Sequence, residues 1–235
     1  MGHSGAAWSY DPSTSQGLMS QPPDILFQDS RALVVNKPAG LPVYPGRSGG
    51  LSVEDFFPIW RRGKIGPWLV HRLDQDTAGC LLIARKKAFL LQAQELMGDG
   101  EGKAEKIYWA ILRGVPVEEA GEICVPLTKV TLRRRWNMAP AVDGQPARTL
   151  WRTLGVHGGN ALVEFTLLTG RTHQVRAHAA YLGHPVLGDG VYGGGDGPMC
   201  LLARRLTLPL PEPVGANAPP PAHMAAFVET CLGTL

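Results

Sequence analysis

His71-Arg72-Leu73-Asp74-Gln75-Asp76-Thr77-Ala78-Gly79-Cys80-Leu81-Leu82-Ile83-Ala84 passes from a polar segment with two carboxylates into an unbroken apolar run. A short apolar run bounded by turn residues reads as a buried strand, so Cys80–Ala84 is expected to be one. Leu69–Asp74 is expected to form the strand before it, with Gln75–Gly79 as the connection. Downstream, Phe89, Leu90, Ala93, Leu96 and Met97 recur at helical spacing within Lys86–Met97. Upstream, residues 25–35 read as two strands around a turn at Asp29-Ser30, stopped by Lys37-Pro38-Ala39-Gly40. Ser52 is placed to cap a helix running to Trp60, with Glu54 and Asp55 in its first turn. Residues 107–112, 122–126, 149–154 and 162–168 are further strand candidates. Residues 171–182 read as a helix ended by Gly183, with Pro185 beyond it. Gly193–Gly195 read as a flexible turn, and the Pro-rich stretch 209–221 as a surface connection before a short final helix. Strand and helix do not alternate regularly, so the expected fold class is α+β, a mixed, largely antiparallel sheet flanked by helices and loops. Residues 1–24 are expected to be a flexible N-terminal arm and 25–235 one domain.

Of the 235 residues, 44% are hydrophobic and 18% charged, which supplies a core and excludes a disordered chain. The 29 glycines and 20 prolines argue against a helical bundle or coiled coil. No apolar run approaches the roughly 20 residues of a membrane-spanning helix, and no basic start followed by an apolar run signals export. A location in the cytoplasm is therefore expected. Cys80, Cys124, Cys200 and Cys231 lack CxxC spacing and read as reduced core residues. No GxGxxG after a strand and no GxxxxGK[ST] is present, which removes support for dinucleotide and nucleoside-triphosphate enzymes. The net charge of +3 does not by itself mark a nucleic-acid binder. Basic residues do cluster at Arg61-Arg62-Gly63-Lys64, Arg85-Lys86-Lys87 and Lys129–Arg135, with Trp60, Trp68 and Trp136 among or beside them. Phosphate contacts with interleaved stacking would suit folded RNA.

Two segments carry candidate chemistry. In the first, Asp74 follows an apolar strand end and lies two residues after Arg72, so on an extended segment the two share a face. A surface ion pair capping the strand is the competing reading. In the second, Thr169-Gly170-Arg171-Thr172-His173-Gln174-Val175-Arg176-Ala177-His178, Thr169 or Thr172 is placed to cap a helix whose first turns carry Arg171, His173 and Arg176. Cations at a helix N-terminus oppose the macrodipole, a cost that makes sense with a buried carboxylate opposite, and Arg176 is thus a candidate partner for Asp74. A solvated basic face is the alternative. His173 and His178 are five apart and lack the HExxH pattern, so no metal site is expected. Tyr108 has the ring and polar tip against which a flipped base would stack.

Taken together, Asn36-Lys37-Pro38-Ala39-Gly40-Leu41-Pro42-Val43, the HRLDQDTAG segment at 71–79, Lys106-Ile107-Tyr108 and GRTHQVRAHAAYLGHPVLGDGVYG at 170–193 resemble the RluA-type RNA pseudouridine synthases. The motifs occur in that family's order and frame about 170 residues from Asn36 to Leu202. The resemblance implies isomerisation of uridine to pseudouridine in ribosomal or transfer RNA, on one pseudouridine synthase catalytic domain, with no cofactor and no metal. It implies that Asp74 is the catalytic aspartate, Tyr108 the tyrosine that stacks on the base and handles protons, and Arg176 the basic partner of the aspartate. Arg72 matches the arginine implicated in flipping. His71, Lys37, Arg171, Thr172 and His173 fall in the same motifs and are expected to bind substrate. Ala78 stands where serine is common and Cys80 where leucine is common. The family often carries an N-terminal RNA-binding module of the S4 type, and the residues before the first strand are too few for one, so recognition is expected from the catalytic domain acting as a monomer. Lys129–Asn137 is the expected substrate-specific contact. An N-glycoside hydrolase releasing uracil, or a non-enzymatic RNA chaperone, are the competing functions.

Overall fold

The computed structural model describes residues 21–46, 49–100, 103–132 and 135–233. In chain order these form β1 (Ile25–Gln28), β2 (Ala32–Lys37), a 3-10 turn (Val53–Phe56) running into α1 (Phe57–Trp60), β3 (Trp68–Leu69), β4 (Ala78–Ala84), α2 (Lys87–Leu96), β5 (Glu105–Leu112) and β6 (Ala120–Cys124). There follow β7 (Leu127–Leu132), β8 (Arg135–Pro140), β9 (Arg148–His157), β10 (Asn160–Leu167), α3 (Gln174–Tyr181), β11 (Leu201–Leu208), β12 (Val214–Asn217) and α4 (Ala222–Leu232). One ten-stranded sheet runs β1-β2-β4-β11-β5-β10-β9-β6, with β3 beside β4 and β12 beside β11, while β7 and β8 form a separate hairpin. β4 and β11 are the parallel pair, and the other strand pairs among the described residues are antiparallel. The sheet is therefore mixed and largely antiparallel, as expected.

The apolar run that ends the opening stretch is buried at every position of β4 because both faces of the sheet are covered there. On one face Val34, Leu82, Trp109 and Leu202 pack beneath Phe89 and Leu90 of α2 and Met224 and Val228 of α4. The other face is split. Leu33, Leu81 and Ile83 lie under the 41–60 segment through Leu41, Val43 and Trp60. Val163, Phe165 and Leu201 lie under Val175 and Ala179 of α3. Tyr108 packs against both clusters, which puts its ring on the seam between them. At the parallel pair, Gly79 sits at φ +108°, and a Cβ there would lie 2.3 Å from the Ala203 carbonyl oxygen, so only glycine permits this approach of β4 to β11.

Several expectations are corrected. The strand read over 69–74 is only Trp68–Leu69. Val70 still donates to the Leu82 carbonyl at 3.2 Å, but the Leu82 N–H is then taken by His71 Nε2 at 3.0 Å, so a side chain replaces the ladder and the chain leaves the sheet. Arg72 and Asp74 thus stand on a loop. The helix read over 171–182 starts at Gln174, with His173 in the cap position, and neither Thr169 nor Thr172 caps it. The Pro-rich connection contains β12, paired with β11. Gly193–Gly195 is a tightly packed turn, since a Cβ on Gly194 would lie 1.7 Å from the Val186 carbonyl oxygen. The four cysteines are free, but Cys124 is exposed rather than part of the core. Residues 1–20 of the expected arm lie outside the described residues. No helix among the described residues is long and apolar enough to cross a membrane.

Candidate active site

The loop that carries Asp74 is held at both ends. Leu73 is buried beneath the 41–60 segment, and the Thr77 N–H closes a turn on the Asp74 carbonyl at 3.1 Å. Gln75 is pinned from the opposite strand end: its carbonyl accepts from Gly40 N–H at 3.0 Å and from Lys37 Nζ at 2.7 Å. Lys37 also donates to the carbonyls of Pro38 at 2.9 Å and Leu41 at 2.8 Å, and its side chain is fully buried. Three carbonyl acceptors match the three N–H bonds of an ammonium. Burial pushes the Lys37 pKa down to about 7 against the opposing pull of Asp76 and Asp74.

Lys37 therefore stitches two loops together from beneath and does not line the cleft. All three of its N–H bonds are taken by these carbonyls. Lys37→Met is expected to lower unfolding free energy by more than about 2 kcal/mol, since each buried carbonyl left without its donor costs about 1–3 kcal/mol. The unfolded chain keeps this proton up to about pH 10.5 while the folded one releases it near 7, so stability should rise with pH across that window. Urea melts at pH 7 and 9.5 should show that rise in the parent and not in the variant.

Arg176 reaches the cleft from α3. Its Nη1 donates to Asp74 Oδ2 at 3.0 Å, while Nε and Nη2 grip the two oxygens of Asp189 at 2.6 and 2.9 Å. Asp189 is 1% exposed, and its Oδ1 also accepts from the backbone N–H groups of Val191 and Tyr192. Burial works against the charge on Arg176, but the Asp189 and Asp74 carboxylates outweigh it and hold its pKa above that of an ordinary arginine. The result is a line of alternating charges, Asp74–Arg176–Asp189, whose first two members line the cleft while Asp189 is buried behind them.

His173 occupies the remaining side of Asp74. Its Nε2 lies 3.6 Å from Asp74 Oδ2, and its Nδ1 lies 3.2 Å from the Tyr192 hydroxyl. Trp136 of β8 stacks on the imidazole with centroids 4.8 Å apart, and Lys129 Nζ sits 4.8 Å over the other ring. His173 is the one non-glycine residue at positive φ among the described residues, at +53°. Such local strain is sustained only where surrounding contacts over-determine it. Behind it, Gln174 accepts from Arg171 N–H and the Thr169 hydroxyl, and donates to the Arg148 carbonyl and Thr149 Oγ1. His178 continues the chain: its Nδ1 lies 2.8 Å from Thr149 Oγ1 and its Nε2 3.0 Å from the Val125 carbonyl. The carbonyl requires Nε2–H, so Nδ1 accepts, and this fixed histidine locks α3 to β9 instead of facing the cleft.

The cleft encloses about 550 Å³ of empty volume, counting its open mouth, within the range of small-ligand sites. Asp74, Tyr108, Arg176, Arg72, Arg171, Thr172 and His173 all line it. Burial, then Asp74 and Cys80, raise the Tyr108 pKa, so its phenol stays neutral and serves as a wall and hydrogen-bond donor. Arg72 stands exposed at the rim, donating to the Tyr44 hydroxyl at 3.0 Å. Arg171 is tethered to the Pro146 carbonyl and paired with Asp99. His71 does not line the cleft: its Nε2 accepts from Leu82 N–H and burial lowers its pKa to about 4, so it stays neutral. Asp189 and Tyr192 received no role from the sequence, although both stand in the GDGVYG segment after α3.

The family model for RNA pseudouridylate synthase matches residues 31–181, which include the Asp74 loop, Tyr108 and Arg176. The chain belongs to the RNA pseudouridylate synthase family. It is thereby an isomerase that converts uridine to pseudouridine within RNA. An RNA pseudouridine synthase of Zymomonas mobilis is 42% identical to this synthase over 206 residues, covering 84% of this chain and 93% of the other. A ribosomal large subunit pseudouridine synthase C of Buchnera aphidicola is 34% identical over 174 residues, which cover 73% of this chain and 54% of the relative. Among solved structures, human RNA pseudouridylate synthase domain containing 4 superimposes with a TM-score of 0.74 at 27% identity, covering 93% of this synthase and 95% of that chain.

Proposed function

We propose that this synthase isomerises specific uridines in structured RNA through Asp74, without a cofactor. The observation that carries the reading is a carboxylate in an open cleft, 3.0 Å from a guanidinium and lining the same space as Tyr108. In the reaction the N1–C1′ bond breaks, the uracil turns while held, C5 bonds to C1′, N1 gains a proton and C5 loses one. Asp74 either attacks C1′ or removes the C2′ proton, and both roles need an ionised carboxylate. Arg176 holds that charge in place, Tyr108 walls the detached base, and Arg72 at the rim fills the stack the nucleotide leaves. Flipping costs a few kcal/mol, offset by phosphate and stacking contacts. On this reading the synthase acts on its RNA as a monomer in the cytoplasm.

Ribosomal RNA of the large subunit is the substrate favoured by the names of the Buchnera relatives and of a synthase D from Nitrosomonas europaea, with transfer RNA the second choice. Carbodiimide-dependent reverse-transcription stops, mapped in cells with and without the protein, test this. Loss of one stop in ribosomal RNA supports it, and an unchanged map in both RNA classes opposes it.

On this reading the β7–β8 hairpin contacts the substrate, since the 40% exposed Trp136 stacks on His173 of the cleft and Lys129 lies over its ring. Arg133 and Arg134 of the basic segment lie outside the described residues. Trp136→Ala should weaken RNA binding roughly 5- to 150-fold, the value of about 1–3 kcal/mol for a stacked base. Lys129→Gln should lower the slope of log K against log salt by about 1. Filter binding across a salt series measures both, and normal affinity in both variants would remove the hairpin from the interface.

A further inference from the structure

We infer that Tyr192 is a positioning residue: its hydroxyl sets the tautomer of His173, turns Nε2–H toward Asp74, and ties the β7–β8 hairpin to the site. The hydroxyl has two polar partners, Met138 N–H and His173 Nδ1. Met138 N–H of β8 lies 2.8 Å away and can only donate, so the oxygen accepts there. Its own proton is left for His173 Nδ1, 3.2 Å away. With the hydroxyl proton on that contact, Nδ1 is the bare nitrogen and the imidazole proton sits on Nε2, 3.6 Å from Asp74 Oδ2, where the carboxylate favours it. The ring itself is clamped by Trp136 on its face and Tyr192 at its edge, with centroids 5.8 Å apart.

Tyr192 is anchored in its turn. Its N–H is held by Asp189, its ring lies 5.3 Å from the Arg176 guanidinium, and it packs with the small core of Leu127, Met138, Ala147 and Ala177 under the hairpin. One side chain therefore touches the hairpin and α3 and reaches, through His173, the reacting carboxylate. Besides Asp74, the charged groups bearing on His173 are Arg176, Asp189 and Arg72, with Lys129 beyond Trp136. A hydrogen bond donated to Nδ1 favours the neutral ring, and so does the nearby Arg176. Without the hydroxyl, His173 would take up a proton more readily and compete for Asp74 as the pH falls.

The inference rests on the proposed use of Asp74, so one arm of its test needs no reaction. Nitrogen-15 shifts of the His173 ring should show bare Nδ1 and protonated Nε2 in the parent enzyme, and a mixture of tautomers in Tyr192→Phe, which keeps the ring. The proton on Nδ1 in the parent, or identical shifts in the variant, would overturn the inference whatever the enzyme does. In single-turnover assays Tyr192→Phe should lose about tenfold in rate. The acid limb of its pH profile should move to higher pH, and the shift should vanish when His173→Gln is added. A lower melting temperature with rate and profile unchanged would reduce Tyr192 to a prop for the hairpin. Should Tyr192→Phe fail to fold, the tautomer in the parent enzyme still decides.

Discussion

Asp74→Asn should abolish pseudouridine formation while leaving the melting temperature within a few degrees of the parent. The amide matches the carboxylate in shape but can neither attack C1′ nor take the C2′ proton, and positioned proton transfer alone is worth roughly 10²–10⁴-fold in rate. The fold should tolerate the change because Arg176 keeps both bonds to Asp189, and because the Asp74 side chain is 18% exposed where that of Asp189 is 0%. Single-turnover assays with thermal melts on the same samples measure both halves. Appreciable activity in the variant would remove Asp74 from the chemistry.

Arg176→Met should disable catalysis and also destabilise the protein, and the two effects have different sources. Removing the guanidinium leaves the Asp189 carboxylate buried with only backbone N–H donors. Breaking a buried pair from one side costs about 3–5 kcal/mol. For a domain of this size that corresponds to a fall of roughly 6–20 °C in melting temperature. The double variant Arg176→Met, Asp189→Asn removes the stranded charge and should recover much of the stability. It should recover none of the activity, because the guanidinium that holds Asp74 is still missing. Recovery of activity together with stability would mean that Arg176 acts only on the fold.

The alternation of apolar runs and turns made the sheet legible, and β1, β2, β4, β5, β6, β9 and β10 lie where the residues place them. The β7–β8 hairpin was not legible as strands, since Lys129, the arginines at 133–135 and Asn137 read as a charge run and its pairing partners lie within itself. β12 hid inside a Pro-rich stretch because its prolines and glycine mask a short strand whose ladder is supplied by β11 just before it. Asp74 and Arg176 are 102 residues apart, and no spacing rule could bring them together. The dipole cost of an arginine near a helix start was the physical hint that they meet. His71 and Lys37 stand in motifs, where a polar residue reads as chemistry, and each bonds backbone groups that the sheet and loops leave without partners. Asp189 and Tyr192 stand in plain view after α3, yet their work depends on a turn that folds back beneath Arg176, held by the close approach of Gly194 to Val186.

The most direct measurement incubates the purified protein with the transcript in which the carbodiimide map locates the modification, digests the RNA, and separates the nucleosides by liquid chromatography with mass detection. Uridine should be replaced, mole for mole and at unchanged mass, by a nucleoside of different retention, and Asp74→Asn should yield none of it. Release of free uracil with an abasic site, or the same conversion by the Asp74 variant, would contradict the account.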